Sequence, residues 1–386
     1  MRRATRGWIV AGGLVLLAGV VVLALWATGA LRATPDPQAT TDDTGPVTEP
    51  LARPEDAAAA FLDAWVDEDG RVVRRDQGDD TVSEGQAYGL LLAVGVEDEE
   101  MFESIWNWTE NNIVRDDGLL AWRWQDGEIV DDEPASDADL DAARALVLAG
   151  ERFDREDFTA AGTALAARIL DDMTVATPLG RIMLPGLWAA GGPDYFYNPS
   201  YASPVAFATL GEATGDPRWA ELEAGGEAVT AALLAESPLP PDWAQVTADG
   251  SVNAMPGAGG LGEDVRYSYD AVRLPLRFAE SCRAEDRQLA AQLLTPLNRQ
   301  DTLAAALDLG GTELNPDEHP VGYLARAASA AAAGDTDRAR EDIEQASALG
   351  EEFGTYYGAA WTALGRLMLE TDRLGGCAPL SGQETD

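Results

Sequence analysis

No lysine occurs anywhere in this 386-residue chain, so all 27 basic residues are arginine, and there is a single histidine, His319. Without lysine, a phosphate-binding loop ending in Gly-Lys is excluded. One histidine rules out a multi-histidine zinc site. A Ser-His-Asp triad would rest wholly on His319, around which nothing is patterned for it. His319 stands beside Asp317, Glu318 and Pro320 and reads as a surface loop position. Cysteine is scarce too. Cys282 and Cys377 show no metal-ligand spacing; in an exported protein they could join in one disulfide, which the sequence leaves open. Strand-like alternation is confined to short pieces such as 71–74. No metal and no cofactor are expected.

What is abundant is carboxylate: 67 acidic residues against 27 basic give a formal net charge of −40. Phosphate binding needs a basic face, so a nucleic-acid partner is disfavoured. A strongly anionic polymer would be repelled at low salt. Most of the excess reads as a solvated acidic surface suited to salty or alkaline surroundings. Carboxylate chemistry is the mechanism the composition supports best.

The chain opens with Arg2, Arg3 and Arg6 and then an uncharged, mostly apolar run over 7–31. That run is long enough to span a hydrocarbon core of roughly 30 Å as a helix. The arginines before it predict a cytoplasmic N-terminus (residues 1–6) and an exported remainder. The expectation is thus a single-pass membrane protein with an extracytoplasmic domain; the alternative is a secreted protein after cleavage of a signal peptide, with Ala27-Thr28-Gly29 as a weak site. Residues 32–53, rich in Pro, Thr, Asp and Ala, read as a flexible linker. A globular domain over 54–376 and a short tail over 377–386 complete the chain.

The domain reads as all-α. Ala-rich amphipathic segments are expected near 55–66, 87–95, 99–112, 138–153, 157–172, 203–214, 217–235, 285–295, 301–308, 320–333, 336–348 and 355–371. About twelve helices in one domain fit a closed double ring, six inner and six outer. The turn at 333–339 resembles that of a helical repeat scaffold, but no unit recurs upstream at a spacing of about 34 residues.

Two helix starts stand out. Ser83 with Gln86 three residues on has the pattern of a capping box, followed directly by an apolar run. This sets Glu84 in the first turn of a buried helix, with Tyr88 one turn along. Gly85 and Gly89 leave room for close approach to that helix. Ser136 with Asp139 repeats the signature and sets Asp137 at a second helix mouth. Either carboxylate alone could simply complement a helix dipole. Both together suggest helices whose N-terminal ends converge on one site.

These stretches, Ser83-Glu84-Gly85-Gln86-Ala87-Tyr88-Gly89 and Ala135-Ser136-Asp137-Ala138-Asp139, resemble the two signature motifs of glycoside hydrolase family 8. Asn198-Pro199-Ser200-Tyr201 and Tyr269-Asp270-Ala271-Val272-Arg273-Leu274-Pro275-Leu276-Arg277 are further matches, in the family's order. The resemblance covers roughly 54–376. Ala142 and Ala87 depart from the usual pattern without touching the chemistry. The resemblance implies an (α/α)6 barrel and an inverting hydrolase.

Hydrolysis of a glycosidic bond takes one protonated carboxyl and one ionised carboxylate that activates water. The resemblance assigns Glu84 as general acid. A helix N-terminus lowers a carboxyl pKa, so burial and a negative Asp137 must offset the dipole. Asp270 is the candidate base, kept ionised by Arg273; alternatively it is a helix-start aspartate paired with that arginine. An inverting pair stands roughly 6.5–9.5 Å apart. Asp137 resembles the family's third acid, which binds and distorts the sugar. Sugar rings present apolar faces, so aromatic platforms are expected: Trp122, Tyr201 and Tyr269 by motif, with Tyr88, Trp188 and Arg273 as further substrate-binding candidates.

The expected activity is endo-cleavage of β-1,4-glucan, cellulose or a cellulose-like polymer, by a monomer. Within the class, xylan or xylo-oligosaccharide, mixed-linkage β-glucan and chitosan stay open. From another class, the alternative is a non-catalytic polysaccharide-binding subunit of an export machine, in which loss of one of the acids would be expected.

Overall fold

The computed structural model describes residues 51–381, so the expected membrane segment at 7–31 and most of the linker lie outside the described residues. Among the described residues no helix is long and apolar enough to cross a membrane. The domain is mostly helical: α1 (Pro54–Trp65), α2 (Ser83–Gly95), α3 (Glu99–Asn112), α4 (Ser136–Arg152), α5 (Glu156–Asp172), α6 (Pro204–Thr214), α7 (Arg218–Glu236), α8 (Arg273–Ala279), α9 (Ala284–Gln292), α10 (Leu294–Leu297), α11 (Pro320–Ala333), α12 (Thr336–Phe353) and α13 (Tyr356–Glu370).

Burial separates these helices into two kinds. Every residue of α2 except Glu84 is buried, and all of α8 is. A helix apolar or paired on all sides belongs inside. By contrast α3 buries only Phe102, Ile105, Trp106, Trp108 and Thr109, one stripe of a helix whose other faces meet water. Contacts run in a circuit from α2 to α4, α6, α8, α11, α13 and back to α2, while α3, α5, α7, α9 and α12 each pack on the outside of a member of that circuit and α1 packs on α13 and α2. Each fully buried Leu or Phe in this core contributes about 1.5–3 kcal/mol relative to exposure.

Among the described residues the strands form three small antiparallel sheets: β1 (Thr81–Val82) with β2 (Arg123–Gln125) and β3 (Glu128–Asp131), β4 (Thr174–Thr177) with β5 (Gly180–Met183), and β6 (Tyr195–Tyr197) with β7 (Trp243–Val246) and β8 (Val252–Met255). The piece at 71–74 is no strand; it makes single bridges, Val66 with Val72 and Arg74 with Asp80.

The expected helix at 301–308 is absent. Its apolar residues are buried, but as extended backbone bridging Tyr267 to Leu307 and Ala304 to Glu318. A short apolar run fits strand-like and helical burial equally well. The helix that completes the circuit is α8, from the Asp270 motif. Neither capping box forms. The caps are Val82 and Ala135, without side-chain bonds. Gln86 instead accepts from Val72 N at 2.6 Å and donates to Thr109 Oγ1 at 2.8 Å, tying a loop and α3 to α2. Asp139 Oδ1 accepts from Leu120 N at 2.9 Å. The residue types that mark a helix start serve long-range ties here, because these helix mouths are buried. Gly85 and Gly89 do permit close approach: a Cβ would lie 2.6 Å from the Tyr356 hydroxyl and 2.9 Å from Val72 Cγ2.

Cys282 and Cys377 are joined in a disulfide, with Cα atoms 4.9 Å apart. Nearby, Cys377 N donates to Glu280 O at 2.8 Å and Leu380 N to Leu369 O at 2.9 Å, which holds the start of the expected tail against the helices.

Candidate active site

Strand β1 delivers the chain into α2, and Ser83 N donates to Trp122 O at 2.8 Å, so the first turn of α2 is pinned beside the segment leading to β2. Glu84 is the single residue of α2 that reaches solvent. Trp122 Nε1 donates to Glu84 Oε1 at 3.2 Å. Loss of water around the carboxyl, and next the charge of Asp137, push Glu84 up to about 7; its own helix-start backbone, Arg273 and the Trp122 N–H pull the other way. Desolvation therefore wins over the helix dipole.

Asp270 lies in the turn before α8, and Asp137 opens α4. Arg273 joins them: Nη1 donates to Asp137 Oδ2 at 2.8 Å and Nη2 to Asp270 Oδ1 at 2.5 Å. Burial raises the pKa of both carboxyls, opposed first by Arg273 in each case. Asp270 keeps a solvent-facing edge, its side chain 31% exposed, whereas Asp137 is 2% exposed. Glu84 and Asp270 line one cleft of about 460 Å³. Asp137 does not line that cleft but is bonded to Arg273, which does.

The Asp137–Arg273 pair is the first rung of a ladder between α4 and the α8 region. Asp141 receives Arg277 at 2.8 and 2.7 Å, and Arg144 reaches Glu280 at 2.9 and 2.8 Å. All three rungs join residues 136 positions apart. Spacings of three and four residues keep each set on one helix face.

The aromatic candidates divide between two ends of the groove. A second cavity of about 330 Å³ shares Glu84 and Tyr201 with the first and is walled by Trp122, Trp188 and Trp243. Trp122 and Trp188 are 36% and 43% exposed. Trp188 is fixed by its backbone N–H, which donates to Glu133 Oε1 at 2.7 Å. At the other end Tyr269, 45% exposed, stands edge-on to His319, ring centres 5.2 Å apart. Tyr201 is buried and carries the Arg273 guanidinium 5.3 Å from its ring centre. Tyr88 is buried too, packed edge-on to Trp361 at 5.6 Å, and touches the cleft from its floor.

His319 departs from expectation. It lines the cleft rather than the outer surface, and burial pushes it down to about 4, so it is neutral near pH 7. Two further residues carried no motif in the sequence. Tyr357 donates its hydroxyl to Tyr269 O at 2.6 Å, and Trp243 Nε1 donates to Asp270 Oδ2 at 3.1 Å. A Tyr-Tyr pair opening α13 was a visible signal for Tyr357. Nothing distinguished Trp243 among eleven tryptophans.

One half-buried carboxyl held near neutrality, a second carboxyl ion-paired in the same cleft, and exposed indoles along the groove suit a glycoside hydrolase. A family model described as glycosyl hydrolases family 8 matches residues 23–370, and the chain belongs to that family. A probable endoglucanase of Novacetimonas hansenii is 32% identical over 280 residues, 69% of this chain and 79% of that protein. The solved endo-beta-1,4-glucanase CMCax from Acetobacter xylinum is similar at 27% identity with a TM-score of 0.70, over 82% of this chain and 97% of that one. A beta-1,3-1,4-glucanase from Paenibacillus sp. X4, at 19% identity and TM-score 0.71, shares the fold over 83% of this chain and 92% of its own.

Proposed function

We propose that this glycoside hydrolase cuts β-1,4-glucan internally and with inversion, on an (α/α)6 double ring whose inner members are α2, α4, α6, α8, α11 and α13. Glu84 donates its proton to the glycosidic oxygen as the bond to the anomeric carbon breaks. Asp270 takes a proton from the water that attacks the opposite face of the sugar. The negative charge of Asp137 helps keep Glu84 protonated against the opposing pull of Arg273, and Asp137 helps seat the sugar at the cleavage point. Trp122, Trp188 and Tyr269 provide platforms, with Tyr201 and Tyr88 beneath the reacting ring. The polymer is cellulose or a cellulose-like glucan, acted on by a monomer tethered outside the cytoplasm through 7–31.

The observation that carries this reading is the unequal pair in one cleft: Glu84 pushed up to about 7 by burial and by Asp137, and Asp270 bonded to Arg273. Burial raises both carboxyls, but Asp270 has the Arg273 cation bonded to one oxygen whereas Glu84 has the charge of Asp137 added to its burial, a difference that suits base and acid roles. The test is a reducing-sugar assay of the full chain in mild detergent, on cellulose derivatives, mixed-linkage glucan, xylan and chitosan, with the anomer of the first product followed by NMR. Turnover of β-1,4-glucan with an α-anomeric product is expected. No turnover on any polymer at any pH or salt would favour a binding subunit of an export machine, and a β-anomeric product would overturn inversion.

A further inference from the structure

Asp242 and Trp243 bind the Asp270 turn in addition to Arg273. Trp243 opens β7, the central strand of its sheet, paired with Met255 on β8, so its backbone is pinned. Asp242, just before it, accepts from Ser268 N at 2.7 Å and Ala271 N at 2.9 Å and also takes the Ser268 hydroxyl. These bonds clamp the backbone on both sides of Asp270. Trp243 then reaches the side chain. Its indole N–H, 3.1 Å from Oδ2, occupies one carboxylate oxygen while Arg273 occupies the other. With Trp243 on one oxygen, Arg273 on the other and the Asn198 amide beside them, the carboxylate plane is held in one orientation.

The ring of Trp243 is also part of the groove wall, 6.2 Å from Trp188 and 6.3 Å from Tyr201 between ring centres. A residue that only supported the wall would not need its N–H aimed at a carboxylate. A second cation in its place would hold the carboxylate as an anion so firmly that it became a poor proton acceptor. A neutral donor orients the group without adding charge.

We propose that Trp243 is a positioning residue for Asp270, fixing the orientation of the proton-accepting carboxylate through its indole N–H while Asp242 clamps the backbone beneath. This rests on the reading of Asp270 as the base. The groups facing Asp270 are Arg273 on α8, Asp137 on α4, Asp242 before β7, the Asn198 amide and Tyr201 in the turn after β6, and Tyr357 on α13. None of these changes when Trp243 alone is replaced. An N–H donor favours the ionised carboxylate, so its removal raises the Asp270 pKa, and activity is lost at a higher pH as the base becomes protonated.

The test uses the full chain and a soluble β-1,4-gluco-oligosaccharide. Trp243→Phe keeps a ring in the wall and removes the donor. It is expected to lower kcat by about tenfold, leave KM within about twofold, and move the acid limb of kcat/KM upward by up to about one pH unit, the alkaline limb staying in place. Parent kcat with an unmoved acid limb, or a rise in KM alone, would overturn the proposal. Asp242→Ala, which removes the acceptor shared by the Ser268 and Ala271 amides, should lower kcat in the same direction with KM near the parent's; it decides the matter if the phenylalanine variant does not fold, and parent kcat in it overturns the clamp and the positioning role with it. Asp270→Asn separates the two levels. If it turns over like the parent, the reading of the base fails; if it is inactive while Trp243→Phe behaves as the parent, only this inference falls.

Discussion

The two ends of the α4–α8 ladder are built from the same residue types and do different things. At the inner end, Arg144 with Glu280 and Arg277 with Asp141 are closed pairs, each guanidinium forked onto one carboxylate and all four side chains at most 2% exposed. At the cleft end, Arg273 is divided between Asp137 and Asp270, and Asp270 is 31% exposed. A closed pair satisfies its charges and is chemically silent. A cation shared by two acids leaves each under-neutralised, and the residual negative charge helps push Glu84 up to about 7. The proposed reactivity rests on loss of water around Glu84 together with one carboxylate too many at the solvent end of an otherwise balanced ladder.

Breaking the cleft end should remove turnover and spare the fold. Asp270→Asn is expected to lower kcat by about 10²–10⁴-fold, the range for losing a positioned proton acceptor, with a thermal midpoint close to the parent's. A large fall in that midpoint would make Asp270 a structural partner of Arg273. Breaking the dry end should do the reverse. Arg277→Met strands Asp141 in the core and is expected to cost about 3–5 kcal/mol by denaturant unfolding. The double variant Asp141→Leu with Arg277→Met should recover most of that loss, because well-packed apolar residues replace a buried pair at little cost. No recovery would show that the rung specifies more than charge balance.

The ladder's foot is also where the disulfide lies, closing a sequence separation of 95. Cys282→Ala with Cys377→Ala is expected to lose about 2–5 kcal/mol of stability and to leave KM unchanged; a shifted KM would mean that strain there reaches the cleft. The smallest effect sharpens the comparison most. Asp137→Asn removes the negative charge that raises Glu84, so the alkaline limb of kcat/KM, where the acid loses its proton, should move down from near pH 7 by up to about one unit. An upward move would contradict the sign of the coupling.

Much of this was legible in the sequence, though in part for the wrong physical reason. Ser83–Gln86 and Ser136–Asp139 marked the correct helix starts, yet neither caps a helix; Gln86 and Asp139 bind distant loops instead. The ladder was written in the chain as Asp137, Asp141, Arg144 against Arg273, Arg277, Glu280, but pairing across 136 positions depends on which helices become neighbours, which local pattern does not encode. His319 looked like surface because its neighbours are charged and polar. Its position is set by Tyr269 and Tyr357, far along the chain. Trp243 carried no signal, since hydrogen bonding by one indole among many is a product of tertiary packing. The stretch 301–308 was misread because apolar content reports burial and not backbone shape.

The most direct measurement is turnover and oligosaccharide binding by Glu84→Gln, side by side with the parent. The isosteric amide cannot give up a proton to the leaving oxygen but keeps the shape of the site, so hydrolysis should vanish while binding stays measurable. Hydrolysis at the parent's rate would contradict Glu84 as the acid, and with it the proposed division of labour between the two carboxyls.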